Sequence, residues 1–312
     1  MKKTIIVKLK PKTSFSTPIR ADIVFGHICW NIIMNEGEKE LQDFLNYFQK
    51  TPIFLLSNGF VDDYLPTPLI NNKQEEGEKT KKEKIKIMDI AKKIKKANLL
   101  RVSDFINVCK GDYDSFNKVV EDDYNDFLIK EEALMKNSID RNLGKVKEDG
   151  GLFSNQEFWS KNNYSLYIKI LNEELFDYFS IKKRLKEIFE LLGYGANKST
   201  GKGFFEITCI EEFNEFDQLS GNYSISLSHC ILKNEERHIL ENSTYKIELK
   251  YGKLGEEKSF SDNPFKKPLM QIVPGSVLNT SKEYVGEMIN LIENKNILDY
   301  NYGFLIPIKL NL

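Results

Sequence analysis

The segment Gly193-Tyr194-Gly195-Ala196-Asn197-Lys198-Ser199-Thr200-Gly201-Lys202-Gly203 is glycine-rich, basic and free of acids. Glycines let main-chain N–H groups approach a phosphate closely, and Lys198 and Lys202 add charge. A P-loop is ruled out: five residues separate Gly195 from Gly201, and Gly203 follows Lys202 where Ser or Thr is required. A dinucleotide fingerprint fails as well, because Gly193 and Gly195 are followed by Lys198 at the third glycine position. Both motifs need strand, loop, helix, whereas this loop follows a helical pattern and precedes a strand. Backbone contact with a phosphate and a plain helix cap plus turn both remain open from the residues alone.

Other candidates for chemistry are sparse. Of the three histidines, His27 lies in an apolar stretch between Gly26 and Ile28-Cys29-Trp30, which favours a hydrogen-bonded, partly buried ring; His229 and His238 have no companion motif. Asp22 opens a helical pattern and reads as an N-cap. Asp62-Asp63 and Asp122-Asp123 are paired acids without further ligands, and solvation explains them. Cys29, Cys109, Cys209 and Cys230 form no CxxC pair, so neither a structural zinc nor a disulfide is expected, and no cofactor is implied.

The elements that would position these residues follow from periodicity. Residues 4–10 alternate, with Ile5, Val7 and Leu9 on one face of a strand. After a loop from Pro11 to Pro18, residues 22–34 read as an apolar helix and 38–49 as an amphipathic one carrying Leu41, Phe44, Leu45 and Phe48. Residues 71–86 are charged and polar, and 89–134 look helical in pieces. Asp149-Gly150-Gly151 signals a turn between extended segments 139–146 and 152–158. Residues 164–171 alternate, 181–192 form an amphipathic helix, and 204–210 are a strand. Apart from the insertion, the order is the ferredoxin-like βαββαβ. Beyond a polar join at 214–222, Tyr223, Ile225 and Leu227 alternate with serines, residues 245–251 alternate with Lys and Glu, Pro274-Gly275 marks a turn, and 303–310 is a closing strand. The expected fold is α+β: a domain over 1–213, with an insertion around 60–135 and a hairpin at 139–158, then a β-rich, degenerate ferredoxin-like domain over 222–312.

The 312 residues suit two domains, and 41% apolar with 29% charged residues is globular composition. No apolar run is long enough to span a membrane, and Lys8 and Lys10 interrupt the N-terminal apolar stretch, so no membrane partner and a cytoplasmic location are expected. The net charge of −1 conceals local tracks: Lys2, Lys3, Lys8, Lys10 and Lys12 carry the start without an acid, and residues 79–101 hold ten basic side chains against Glu83 and Asp89. A phosphate backbone needs only such a track.

The chain resembles the RAMP superfamily of CRISPR proteins at its glycine loop. It is similar to the family of the fourth subunit of the type III-A Csm complex at Arg20-Ala21-Asp22-Ile23-Val24-Phe25-Gly26-His27-Ile28-Cys29-Trp30. Asn137-Ser138-Ile139-Asp140-Arg141 with Gly150-Gly151-Leu152-Phe153, and Tyr302-Gly303-Phe304-Leu305-Ile306-Pro307, are similar too. The blocks run in order from residue 20 to 307. The resemblance implies two ferredoxin-like (RRM-like, RAMP) domains and a non-catalytic subunit that holds the 5′ handle of the crRNA. Such a subunit bridges the large polymerase-like subunit and a backbone RAMP subunit. The expected RNA-facing residues are Ser14, Phe15 (by stacking) and Arg20 after the first strand; Gly195, Lys198, Ser199, Gly201, Lys202 and Gly203 in the glycine loop; and Arg141 and Lys145 on the hairpin, with Lys147 beside them. The alternative is a metal-independent endoribonuclease that processes precursor CRISPR RNA with His27 as general acid or base.

Overall fold

A computed structural model describes residues 3–70, 99–112, 129–147, 151–252, 265–292 and 295–310. Most of the basic run at 79–101, the acidic stretch that follows it, Asp122-Asp123 and the Asp149-Gly150 turn lie outside the described residues.

The chain begins with β1 (Lys3–Pro11), α1 (Ala21–Glu36), α2 (Glu38–Lys50) and β2 (Phe54–Val61). A long excursion follows: β3 (Tyr64–Pro66), β4 (Leu99–Arg101), α3 (Val102–Cys109), β5 (Ile129–Asn137), β6 (Ile139–Asp140), β7 (Lys145–Val146) and β8 (Leu152–Ser160). Then come β9 (Tyr164–Ile170), α4 (Glu173–Tyr178), α5 (Ile181–Lys186), which continues as a π-helical stretch over Glu187–Leu192, and β10 (Phe205–Glu212). β1, β2, β9 and β10 form one antiparallel sheet in the order β10-β1-β9-β2.

One face of this sheet packs under the helices. Phe25, Phe44 and Phe48 of α1 and α2 meet Phe54, Phe176 and Phe179 in a chain of rings with centroids 4.9–6.5 Å apart. Ile5 and Val7 are buried on one face of β1, and Thr4 and Ile6 are as buried on the other. The opposite face is covered by Phe213 and Phe216, whose rings lie 5.1 and 5.0 Å from Tyr167, and by Phe304 beneath Lys169.

The second half adds β11 (Tyr223–Ser226), β12 (Ile247–Lys250), β13 (Leu269–Ile272), β14 (Val277–Leu278), β15 (Met288–Ile292), β16 (Lys295–Tyr300) and β17 (Leu305–Ile308). β11 lies between β14 and β17, while β12–β13 and β15–β16 are two-stranded ribbons. The core runs without a break from the first half into Ile225, Tyr300, Phe304 and Ile306. Two tyrosines stitch the halves: Tyr300 Oη accepts the Leu56 N–H at 3.0 Å, and Tyr302 Oη donates to the Phe48 carbonyl at 2.7 Å.

Three sequence expectations change. Of the 89–134 stretch expected to be helical in pieces, residues 102–109 are helix, but 99–101 and 129–137 are strands. The hairpin expected between 139–146 and 152–158 pairs differently: β8 runs against β5, from Ile129↔Ser160 to Asn137↔Leu152, and residues 139–146 fold back as their own small β6–β7 tip. Asp22 is not the N-cap of α1; Arg20 holds that position, and Asp22 sits in the first turn. Among the described residues, no helix is long and apolar enough to cross a membrane.

Candidate nucleic-acid interface

The glycine loop connects the π-helical end of α5 to β10, and its conformation depends on residues no other side chain could replace cheaply. Gly193, Gly195, Gly201 and Gly203 all have positive φ, as does Asn197. At Gly203 a Cβ would sit 1.9 Å from the Tyr194 carbonyl oxygen, so the two ends of the loop touch backbone to backbone. The Tyr194 N–H donates to the Gly203 carbonyl at 2.7 Å, and a 3-10 turn at Lys198–Thr200 forms the loop's crown.

The loop is sewn onto the segment that follows β1. The Gly203 N–H donates to the Ser14 carbonyl, the Ala196 N–H to Thr17 Oγ1 at 3.0 Å, and Asn197 Nδ2 to Ser16 Oγ at 3.0 Å. Tyr194, fully buried, donates its hydroxyl to the Pro18 carbonyl and accepts the Arg20 N–H. Burial pushes that hydroxyl far above its ordinary pKa, so it stays a neutral strut. The crown is left exposed at Ser199, Thr200 and Gly201.

A buried carboxylate that sequence reasoning missed anchors the site. Glu157 of β8 has no exposed surface. Its Oε2 accepts from Ser14 Oγ at 2.8 Å and from Lys202 Nζ at 2.7 Å, while Lys136 Nζ reaches Oε1 at 3.2 Å. Burial favours the protonated acid, but the hydrogen bonds from Lys202, Ser14 and Lys136 outweigh it and hold the carboxyl below the usual range. Nothing in the local sequence marks Glu157, because its partners are remote in the chain. Lys202 also lies over the Trp159 ring, 5.3 Å from its centroid.

Gly195, Lys198, Ser199, Gly201 and Lys202 therefore sit together on the loop, whereas Ser14, 1% exposed, and Gly203 are corrected as RNA-facing residues: both are buried where the loop closes on the segment after β1. Phe15 requires a correction as a stacking residue: it is 2% exposed and packs between Phe158, Tyr164 and Phe205, because its backbone bridges to Phe158 and turns the ring inward. Arg20 is likewise engaged, its guanidinium donating to Glu248 at 3.0 Å and Gln271 at 2.5 Å and lying 3.4 Å from Asp22. Arg141 and Lys145 are exposed on the β6–β7 tip, separated from the Glu157 level by roughly 17 Å of strand.

Behind Arg20 lies a charged seam between the halves. Burial opposes ionisation of Asp22, but Lys250, whose Nζ is 2.6 Å away, and Arg20 hold its carboxyl at about 2. Lys250 also pairs with Asp299 at 3.2 Å. Asn58 presents its carbonyl to the Ala21 N–H and its amide to His229 Nδ1, which makes Nδ1 the acceptor and leaves His229 Nε2–H for Glu248 at 3.2 Å. His27 faces the glycine loop, its Nε2 accepting the Gly195 N–H at 2.9 Å. Among the described residues, no group of three or more His, Cys, Asp or Glu side chains could hold a metal.

No protein-family model and no curated protein matches the sequence. Solved structures do match its fold. A chain of a Csm1-Csm4 cassette bound to pppApA superposes with a TM-score of 0.62 at 18% identity, covering 100% of this chain and 99% of that one. A cassette bound to AMPPNP gives 0.62 at 19%, with both chains fully covered. A chain of the Csm3-Csm4 subcomplex of the type III-A CRISPR-Cas interference complex gives 0.61 at 14%, covering 97% and 99%. The architecture is thus that of a subunit fold found in type III-A CRISPR assemblies. The component common to these structures is Csm4, and this chain is Csm4-like in fold.

Proposed function

We propose that this chain is a non-catalytic crRNA-binding subunit of a type III-A CRISPR interference complex in antiviral defence. It holds the 5′ handle of the guide and bridges the large polymerase-like subunit to a backbone RAMP subunit. On this reading residues 1–213 are a ferredoxin-like RAMP domain, and 222–312 a degenerate second copy fused to it through a shared core. The order β10-β1-β9-β2 is the one a βαββαβ unit adopts.

The observation that carries the proposal is the glycine loop itself. It is stitched at three points to the segment after β1, its crown is exposed, and the Lys202 ammonium is fixed by Glu157. Such a preorganised, acid-free crown beside a fixed cation suits a ribonucleotide backbone. The non-catalytic reading is supported by His27, whose Nε2 lone pair is occupied by a backbone N–H of that same loop. An acid or base at this position would have to break the hydrogen bond that shapes the binding surface.

The test is a salt titration of a labelled crRNA 5′ fragment with the full chain. Each phosphate of a single strand that a cation ceases to neutralise lowers the log–log salt slope by about 0.7, so Lys198→Ala/Lys202→Ala should flatten it by about 1.4. An unchanged slope sinks the loop assignment, and RNA cleavage that disappears in His27→Ala sinks the non-catalytic one.

A further inference from the structure

The β5–β8 ribbon carries a second array. Residues directly opposite in antiparallel strands share a face, so Trp159 with Lys130, Glu157 with Glu132, and Phe153 with Lys136 lie on one side. On that side Trp159 and Phe153 keep 43% and 42% of their surface open, which is unusual for large aromatic groups. They are six positions apart, or about 20 Å along the strand.

Cations are interleaved with the rings. Lys202 lies over Trp159, and Lys136 is opposite Phe153. Both ammonium groups are held by the buried Glu157, which fixes their positions while leaving the pair with a net positive charge. A single-stranded nucleic acid alternates planar bases with anionic phosphates, and this face sets a pair of fixed cations between two planar rings, the Glu132 carboxylate on the same side being paired with Lys130. A protein partner would favour a face depleted of lysine.

We propose that Trp159 and Phe153 are base-stacking platforms that extend the glycine-loop site up the ribbon, with Lys202 and Lys136 taking the intervening phosphates. The proposal rests on the RNA-binding reading above. It replaces Phe15, which is buried, with two exposed rings as the aromatic component of the site.

The chain has two tryptophans, so Trp30→Phe leaves Trp159 as the sole reporter. A labelled, single-stranded oligoadenylate is titrated into this full-length variant while anisotropy and tryptophan emission are followed together. Emission should fall saturably with the same midpoint as the anisotropy. Trp159→Ala should weaken binding about 5- to 150-fold, the range carried by one stacked base. Its salt slope and melting temperature should not change, Trp159→Phe should retain most of the affinity, and Phe153→Ala should show a smaller loss. Saturating anisotropy with constant emission, together with unaltered affinity of Trp159→Ala, overturns the platform and leaves RNA binding standing. The absence of any saturable binding by the parent chain removes the RNA reading itself. Unaltered RNA affinity with loss of a co-purifying protein from Trp159→Ala assigns the face to a protein and overturns the proposal.

Discussion

Replacing Glu157 with glutamine removes one charge and almost no volume. In the native protein its carboxylate receives Ser14, Lys136 and Lys202 at 2.7–3.2 Å with no exposed surface of its own. Hydrogen bonds to a charged group contribute about 1.5–3 kcal/mol each, and breaking a fully buried pair costs about 3–5. The two lysines remain partly solvated at 21% and 32% exposure, so the loss falls nearer the lower figures, at about 2–4 kcal/mol. With an unfolding entropy of about 2.1 cal/mol/K per residue over the chain, this lowers Tm by about 3–6 °C. The pH dependence makes the test specific. The folded pKa of Glu157 is depressed. It therefore adds stability that is complete above the unfolded value, near 4.3, and disappears as pH falls through the folded value. Thermal melts of the parent and of Glu157→Gln between pH 7 and pH 2 should keep a steady gap down to about pH 4.3 and converge below it. A Tm gap that stays constant across that range, or no gap at neutral pH, refutes the account of Glu157 as the ionised anchor of the loop.

Two further substitutions probe the loop and the seam. Gly203→Ala meets both a left-handed backbone and the Tyr194 carbonyl at 1.9 Å, whereas Gly201→Ala has the same backbone sign with open space around it. Gly201→Ala should cost about 1–2 kcal/mol in denaturant unfolding, and Gly203→Ala clearly more. At the seam, Asp22 at about 2 against an ordinary 3.8 contributes about 2 kcal/mol. That stability is present above pH 3.8 and disappears as pH falls toward 2; Asp22→Asn should cost about 3 kcal/mol at pH 7 in urea titrations and flatten the acid limb.

The first sheet was legible because its strands and helices carry clean periods: Ile5, Val7 and Leu9 in β1, and Leu41, Phe44, Leu45 and Phe48 in α2. The glycine loop was legible from composition and from its place between a helix and a strand. The β5–β8 ribbon was not, because Glu131, Glu132, Ala133, Leu134 and Met135 are good helix formers that tertiary pairing overrides. The serines in and just after β11 lie inward as well. Alternation with apolar residues does not show this: Ser224, Ser226 and Ser228 are buried and satisfied by the carbonyls of Thr280, Ser228 and Tyr302. Glu157 is 143 residues from Ser14 and 45 from Lys202, so no window along the chain holds the anchor together with what it anchors.

Tyr300 and Tyr302 set an order of events on the ribosome. The amide of Leu56 and the carbonyl of Phe48 are made 244 and 254 residues before the hydroxyls that satisfy them. Until then the nascent first sheet has an open flank where Phe304 and Tyr300 will later lie. The polar join at 214–222 is thus a bend in the path of the chain and not a place where it can be cut. A fragment ending there would leave the exit tunnel without the residues that close its own core.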